Sequence, residues 1–339
     1  MLRRWVQEGD SVEWFAAGFP GAAPTAELDG IRIVRKGRQW SVHLQAIRHY
    51  RNRLAGRFDL VIDEVNTMPF FTPLWADIPA SLLIFQLARE VWWYESRFPV
   101  NAIGYVVEPW YLRLYRRTNA YTISESTRDD LRRLGWRAPI TVVPIGIEDV
   151  AIEPLERSAP PSFVYVGRLA PSKRVHDIIQ AFAGFQTTGP PGRLLLVGDG
   201  PPGYVRRLRQ LVSRLGIEQA VEFCGRLGVA EKHRRMTQAV ALLMTSVREG
   251  WGLVVTEAGA CGTPALVYDV AGLRDSVRNE ETGLIVAPSP AQLAAAMRRL
   301  VVDPSLRQRL GAGARAWSQT FSLDRSAQAL RAGMIASTE

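Results

Sequence analysis

The chain has 339 residues, 47% hydrophobic and 22% charged, an ordinary globular composition with material for about two domains. The net charge of +9 would suit a nucleic acid, but the basic excess is dispersed over the second half without any nucleic-acid-binding signature. No apolar run approaches the roughly 18 residues that a membrane span needs. We therefore expect a cytoplasmic protein with no nucleic-acid partner, and leave open a peripheral contact at the inner face of a membrane.

The sequence indicates no leader, disulfide or metal site. The first eight residues are charged and amphipathic and lack a hydrophobic signal core. Cys224 and Cys261 lie in apolar segments, which predicts buried reduced thiols. The four histidines are scattered and no Asp-x-Asp pair occurs, so we expect neither a metal nor a cofactor.

Short β-branched or apolar runs alternate with helical patterns throughout the chain, which predicts parallel sheets covered on both faces. In the first half, strands are predicted at Val12–Ala16, Ile31–Val34, Leu60–Ile62, Ser81–Phe85, Tyr121–Ile123 and Thr141–Val143. The stretch that follows is rich in proline and acidic residues, has no hydrophobic period, and predicts a linker at 151–162.

A second series of strands is predicted at Phe163–Val166, Leu194–Val197, Val221–Phe223, Ala241–Met244, Ala265–Val267 and Leu284–Val286. The fold class expected is α/β, with two doubly wound Rossmann-like domains, at 1–150 and 163–322, facing each other across a cleft. A last helix, at 323–339, would return to the first domain. In such sheets ligands bind beyond the carboxyl ends of the strands.

The segment 246–258 places two acids in otherwise apolar surroundings. Gly250 and Gly252 allow a tight loop, and the apolar residues after the loop predict a helix, so Glu249 precedes that helix and Glu257 lies inside it. Burying unpaired carboxylates is costly. Sugar and ribose hydroxyls would supply partners; the alternative is a helix cap and an ion pair with an arginine.

A second strand-to-helix loop carries two cations, Arg168 and Lys173. Only three of the 42 basic residues are lysines, the others being Lys36 and Lys232. Two cations in such a loop suit a diphosphate, whose charge needs neutralising when it leaves. Taken alone, the loop is better interpreted as an ordinary charged surface turn.

The stretch Gly198–Gly203 spells G-x-G-x-x-G after a strand, the dinucleotide-binding fingerprint. However, Pro201 and Pro202 lack the N–H groups that this fingerprint directs at a pyrophosphate. We interpret the stretch as a glycine-rich turn and keep an NAD-dependent oxidoreductase as the less favoured alternative.

Together these segments resemble glycosyltransferase family 4, the group 1 retaining, metal-independent enzymes of GT-B fold, over most of the chain. The segments that carry the resemblance are the E-x7-E block at 246–258 with the turn at 261–264, the loop at 166–173, the glycine turn at 198–201, and the stretches 272–277, 282–284 and 122–127.

The resemblance implies a role for each candidate residue. Glu249, Arg168 and Lys173 would be the catalytic groups, with Glu249 on the transferred sugar and the two cations on the diphosphate. Glu257 would bind the donor ribose, and the loop at Arg226 and Leu227 would meet the base. Backbone and side chains lining the donor would come from Gly167, Gly250, Trp251, Gly252 and Leu253. A nucleotide-diphosphate sugar would be the donor.

Three features depart from the family pattern. Leu2–Phe15 resembles the end of a first helix and a second strand, so we expect the opening strand and glycine-rich loop to be missing, through a misplaced start or a real loss. Gln86 stands where a histidine is frequent. Arg174 replaces a common glycine, and Ile145 a common asparagine.

On the acceptor side, candidates are Glu90, Trp92, Trp93 and Glu108, which could stack on or orient a carbohydrate or lipid-linked acceptor. Core packing of the aromatics and helix-surface pairing of the acids with arginines are the alternatives. The functional prediction is a retaining glycosyltransferase; an inactive binding or partner subunit of the same fold is the alternative.

Overall fold

A computed structural model describes residues 1–39, 41–148 and 157–336. Its strands are β1 (Glu13–Ala16), β2 (Thr25–Leu28), β3 (Ile31–Arg35), β4 (Val61–Val65), β5 (Ala80–Ile84), β6 (Asn119–Thr122), β7 (Ile140–Val142), β8 (Ser162–Val166), β9 (Arg193–Val197), β10 (Val221–Gly225), β11 (Ala241–Met244), β12 (Ala265–Tyr268) and β13 (Gly283–Val286). Its α-helices are α1 (Leu2–Gln7), α2 (Val42–His49), α3 (Val91–Glu95), α4 (Val100–Leu112), α5 (Glu125–Arg133), α6 (Val175–Gln186), α7 (Pro202–Arg214), α8 (Val229–Gln238), α9 (Leu253–Ala260), α10 (Leu273–Ser276), α11 (Pro290–Val302), α12 (Pro304–Ser318) and α13 (Leu323–Ile335).

The second half forms one six-stranded parallel sheet in the order β10-β9-β8-β11-β12-β13. Its central strands, β9, β8, β11 and β12, consist mostly of buried apolar residues, as a sheet covered by helices on both faces requires, and the edge strand β10 is less buried. From β8 the strands are added outward on one side, through β9 to β10. The chain then returns to the centre and adds β11, β12 and β13 on the other side, so the order switches between β8 and β11. This switch point is where open parallel sheets leave a crevice for a ligand.

The first half contains two sheets. Four strands, β4-β5-β6-β7, are parallel, while β1, β3 and β2 form a smaller sheet with β1 parallel and β2 antiparallel to β3. Sequence analysis missed β2, because its side chains are mostly exposed and have little apolar pattern. The signal was the Asp29–Gly30 turn, with φ of +51° and +77°, a dipeptide typical of hairpins.

The two α/β units predicted from the alternating pattern are therefore confirmed, and each predicted strand overlaps an observed one. The predicted helix and strand at 2–15 correspond to α1 and β1. Of the predicted linker, 151–156 lies outside the described residues. Arg157, which lies within the predicted linker, donates to the Gly262 carbonyl at 2.6 Å and so already belongs to the second unit.

The last helix crosses back to the first unit. Trp5 of α1 donates its indole N–H to the Ala327 carbonyl of α13 at 2.8 Å, and Arg331 forms an ion pair with Asp10 at 2.6 Å. Ser326 donates to the Pro144 carbonyl at 2.7 Å, and α13 crosses the chain at Gly146, where an added Cβ would lie 2.2 Å from the backbone of Ser322.

Both cysteines are free: Cys261 is buried and Cys224 half-buried. Burial raises the pKa of the Cys224 thiol to about 11, so it is protonated at neutral pH. None of the helices in the described part of the chain is long and apolar enough to span a bilayer.

Candidate active site

Two loops leave the sheet at the switch point, one after β8 and one after β11. The first is held by backbone hydrogen bonds to the neighbouring glycine turn: Gly167 N–H donates to the Val197 carbonyl at 3.0 Å, and Leu169 N–H to the Asp199 carbonyl at 2.8 Å. A Cβ at Gly200 would lie 1.8 Å from the Leu169 carbonyl oxygen. The glycine turn thus supports the loop by close backbone contact, which only glycine allows.

Lys173, at the end of the first loop, meets Glu249, in the second. Lys173 Nζ lies 2.6 Å from Glu249 Oε1, and Ser246 Oγ donates to the same oxygen at 2.6 Å. The Glu249 side chain is only 13% exposed, so its charge is compensated by these two donors rather than by water. Thr245 Oγ1 donates to the Lys173 carbonyl at 2.9 Å and ties the two loops together.

Glu257 forms a second lysine–glutamate pair, on α9. Its Oε2 lies 2.7 Å from Nζ of Lys232, which is on α8. Burial, and secondarily the charge of Lys232, lower the pKa of His233, so that this imidazole is neutral at pH 7. Its Nε2 is buried and has no hydrogen-bond partner among the described residues.

Three glycines let the Glu249 loop pack tightly. A Cβ at Gly250 would lie 2.8 Å from the Phe85 carbonyl oxygen of the first unit, and one at Gly272 would lie 2.1 Å from the Glu249 carbonyl oxygen. Gly252 has φ of +86° and precedes α9. The backbone of this loop therefore lies directly against the end of β5, between the two units.

Trp251 and Leu253 flank Gly252 and point in different directions. Trp251 is 5% exposed, donates its indole N–H to Thr256 Oγ1 at 3.0 Å and packs edge-on against Phe321. Its ring therefore holds the loop to the core, and only its backbone is left to meet a ligand. Leu253, at the start of α9, is exposed.

The first unit supplies acids to the same region. Glu95 Oε2 lies 3.2 Å from Arg168 Nη1, and Glu95 Oε1 accepts a short hydrogen bond from Ser172 Oγ. Nearby, Arg248 pairs with Glu90 at 2.9 Å and with Asp130 at 2.5 Å. Both cation-bearing loops of the second unit are thus bridged to the first unit by carboxylates.

The arrangement of strands, loops and acids can be compared with known proteins. The sequence matches the family described as glycosyl transferases group 1 over residues 147–317, about half of the chain. The chain belongs to the group 1 glycosyltransferases. The matched range contains both loops at the switch point and both glutamates.

Curated relatives are similar over part of their length. A glycogen synthase of Mycobacterium tuberculosis is 34% identical over 218 residues, which cover 62% of this chain and 51% of the relative. A D-inositol 3-phosphate glycosyltransferase of Streptomyces bingchenggensis is 34% identical over 177 residues, 49% of this chain and 38% of the relative. The chain thus spans about half, or less, of these relatives.

Solved structures share the whole fold. A sucrose-phosphate synthase of Thermosynechococcus elongatus superposes with a TM-score of 0.80 at 21% identity, over 97% of this chain and 89% of that one. Anabaena HepE, solved with UDP-glucose, superposes with a TM-score of 0.70 at 20% identity, over 90% and 87% of the two chains. These similarities confirm the predicted GT-B arrangement of two Rossmann-like domains.

The alternative interpretation required Glu249 to cap α9 and Glu257 to pair with an arginine. Instead, Glu249 does not cap α9 and pairs with Lys173, and Glu257 is ion-paired, but with Lys232. In the glycine turn, Pro202 is the first residue of α7 and Pro201 its N-cap, so the two positions offer no N–H to a pyrophosphate. The dinucleotide-binding alternative therefore loses its structural basis at this turn.

The acceptor-side candidates serve different roles. Glu108 is buried and accepts from the N–H groups of Ala88 and Arg89 at 2.6 and 2.7 Å; burial nonetheless raises the pKa of its carboxyl. Trp92 packs onto α4 at Gly104, with its indole N–H unpartnered among the described residues. The contacts of Trp92 fit the core-packing alternative. Glu108 is buried and bound to backbone N–H groups, so it does not form the helix-surface pair with an arginine. Glu90 pairs with Arg248, as above, and Trp93 is about half-exposed.

The remaining residues singled out in the sequence lie in loops that follow strands of either unit. Arg226 is well exposed beyond β10, 4.0 Å from Asp199, while Leu227 packs partly against the core. Gln86 follows β5, and its amide oxygen is buried without a partner in the described chain. Arg174 has φ of +49°, the left-handed region that explains why glycine is common there.

Sequence reasoning missed the partners of the two acids. It did not predict that Glu257 pairs with Lys232 or that Glu249 accepts from Ser246, nor the pairs of Arg168 with Glu95 and of Glu90 with Arg248. The scarcity of lysine was a signal: in this arginine-rich chain all three lysines contact a carboxylate or an imidazole, the third being Lys36 at 3.1 Å from His49 Nδ1. Among the described residues no group of three or more His, Cys, Asp or Glu could hold a metal ion.

Proposed function

We propose that this protein transfers a sugar from a nucleoside diphosphate sugar to an acceptor, with retention of anomeric configuration and without a metal ion. The observation that carries the proposal is the pairing of Lys173 with Glu249 at the switch point of the nucleotide-side sheet, with Arg168 in the same loop. Glu257 lies eight residues further on, inside α9, and is held by Lys232.

The positive side chains of Arg168 and Lys173 and the carboxylates of Glu249 and Glu257 match the charges that develop in the proposed reaction. When the sugar departs, negative charge grows on the leaving diphosphate and positive, oxocarbenium-like charge on the sugar. Lys173 and Arg168 neutralise the diphosphate, and the Glu249 carboxylate binds sugar hydroxyls beside the developing positive charge. The Glu257 carboxylate accepts hydrogen bonds from a ribose diol.

In a retaining reaction without a covalent intermediate, the acceptor attacks the face from which the diphosphate leaves. The diphosphate oxygens then take the acceptor proton, and the cations that hold the diphosphate are the main groups lowering the barrier. Removing one preorganised donor of this kind typically lowers turnover by about 10²- to 10³-fold. Lys173→Ala is expected to fall in that range, with donor binding weakened less.

The test measures binding of UDP, GDP and ADP by calorimetry, with magnesium and with EDTA, to wild type, Glu257→Gln and Glu280→Gln. Glu280 is the control because it too forms an ion pair, with Arg299 at 3.0 Å, but lies in the loop before β13 and not on α9. We expect one nucleotide to bind equally with and without magnesium, and Glu257→Gln alone to weaken it. Equal binding by all three proteins would refute the assignment of Glu257.

Retention is tested separately by NMR on the slow hydrolysis of the α-linked sugar nucleotide that binds. The first anomer released should be α, before mutarotation. Release of the β anomer would contradict retention, and tight nucleotide binding with no hydrolysis or transfer would favour the alternative of an inactive partner subunit.

A further inference from the structure

The outer face of α4 is apolar where a helix on a soluble protein is normally polar. All its exposed residues are hydrophobic, and the row continues into Phe98 before the helix and Leu114 after it. Phe98 is 82% exposed and Trp110 65%. We call this row the α4 face; its members are Phe98, Val100, Ile103, Val106, Val107, Trp110 and Leu114.

The inner side of α4 is already used for packing. Gly104, Glu108 and Leu112 are buried, and Trp92 of α3 lies against Gly104. The apolar residues of the α4 face are therefore surplus to the core of the unit. A contiguous exposed apolar surface of this kind marks a docking site.

Both ends of the α4 face are basic. Arg97 precedes it and Arg113, Arg116 and Arg117 follow; all four are exposed, and none forms an ion pair with a described residue. Arg113 stacks on the Trp110 ring at 5.0 Å. The only acid within residues 97–117 is the buried Glu108, so no exposed carboxylate offsets these charges within the segment.

We propose that the α4 face docks this protein on an anionic lipid surface. Apolar side chains with tryptophan at their edge and unpaired arginines at both ends match the layers of a bilayer interface. A second copy of the chain fits less well, because a two-fold pairing of this face would bring arginines against arginines. The inference does not depend on the proposed reaction.

Docking would also orient the cleft. The helix α3 packs on α4 and also contacts the turn at Pro171–Lys173, which carries the candidate diphosphate-binding lysine. The α4 helix is thus linked to that loop through α3. A docked protein would hold its cleft near the lipid headgroups, where a lipid-linked acceptor would lie.

The test is flotation of the full chain with vesicles of phosphatidylcholine alone and of equal parts phosphatidylcholine and phosphatidylglycerol. We expect binding to the mixed vesicles only, weakened by salt. Arg116→Gln with Arg117→Gln should weaken binding by about fivefold for each arginine. Arg206→Gln with Arg207→Gln, on α7, is the control, since it removes the same charge from another exposed surface.

The apolar part is tested by Ile103→Gln with Val106→Gln, against Leu215→Gln with Val302→Gln elsewhere. All four side chains are exposed, so the unfolding temperatures should stay near that of wild type. Roughly tenfold or greater loss of vesicle binding is expected for the α4 pair alone. The proposal would be overturned if the wild type did not bind the mixed vesicles, or if both double variants bound them equally well. It would also be overturned if the wild type were a dimer that the α4 double variant dissociates.

Discussion

Glu95 provides a direct test of the role of Arg168 and its loop. Its carboxylate reaches across from the first unit to Arg168 Nη1 at 3.2 Å and accepts a hydrogen bond from Ser172. If that loop binds a diphosphate, Glu95 competes with the diphosphate for the guanidinium group of Arg168. Nucleotide binding must then break the Glu95–Arg168 pair, and Glu95→Gln should remove this competition.

The size of the effect follows from exposure. The side chains of Arg168 and Glu95 are 58% and 24% exposed, so their attraction is screened by solvent. Pairs of this kind contribute about 0.2–1 kcal/mol. A glutamine can still accept from Ser172, so chiefly the ionic part is lost. Nucleoside diphosphate should bind Glu95→Gln up to about fivefold more tightly than wild type, with the difference shrinking in high salt.

The assay is calorimetric titration with the nucleoside diphosphate that binds wild type, at low and high salt. Glu90→Gln is the matched control, because it also breaks an ion pair between the two units, with Arg248 at 2.9 Å, but leaves Arg168 untouched. Unchanged or weaker binding by Glu95→Gln would refute the competition. An equal gain in Glu90→Gln would attribute the effect to loosening of the two units instead.

Two further predictions concern stability. Gly200→Ala places a Cβ 1.8 Å from the Leu169 carbonyl oxygen and should lower the free energy of unfolding, measured by urea denaturation, by several kcal/mol. Gly203→Ala is the control, because its Cβ would have no contact nearer than 4.0 Å and should leave the free energy of unfolding unchanged. Equal denaturation curves for the two variants would contradict this prediction. The Arg331 hydrogen bond lowers the pKa of Asp10, so the stability it adds should be full above about pH 5 and disappear as the pH falls below about 4 through the folded-state pKa. Unfolding temperatures of wild type and Asp10→Asn should therefore converge in acid, and a constant gap would be the opposite result.

Local signals were sufficient for most of the fold. Buried parallel strands are short apolar runs, and glycines and prolines mark their ends, so the alternation of strands and helices could be predicted without tertiary information. Because such signals are local, they also predicted that Glu249 precedes α9 and that Glu257 lies within it. They likewise predicted that Arg168 and Lys173 share one loop. Only β2 was missed, since an exposed hairpin strand carries almost no apolar pattern.

The sequence by itself thus determined the two α/β units, the ends of their strands and the residues of the two loops, because these depend on neighbours along the chain. Tertiary structure decided the partners: Lys173 with Glu249, Lys232 with Glu257, and Glu95 with Arg168. It also decided that the α4 face, apolar like many buried helices, is exposed. Pairing and burial arise between segments far apart in sequence, and periodicity within one segment carries no information about which other segment will cover it.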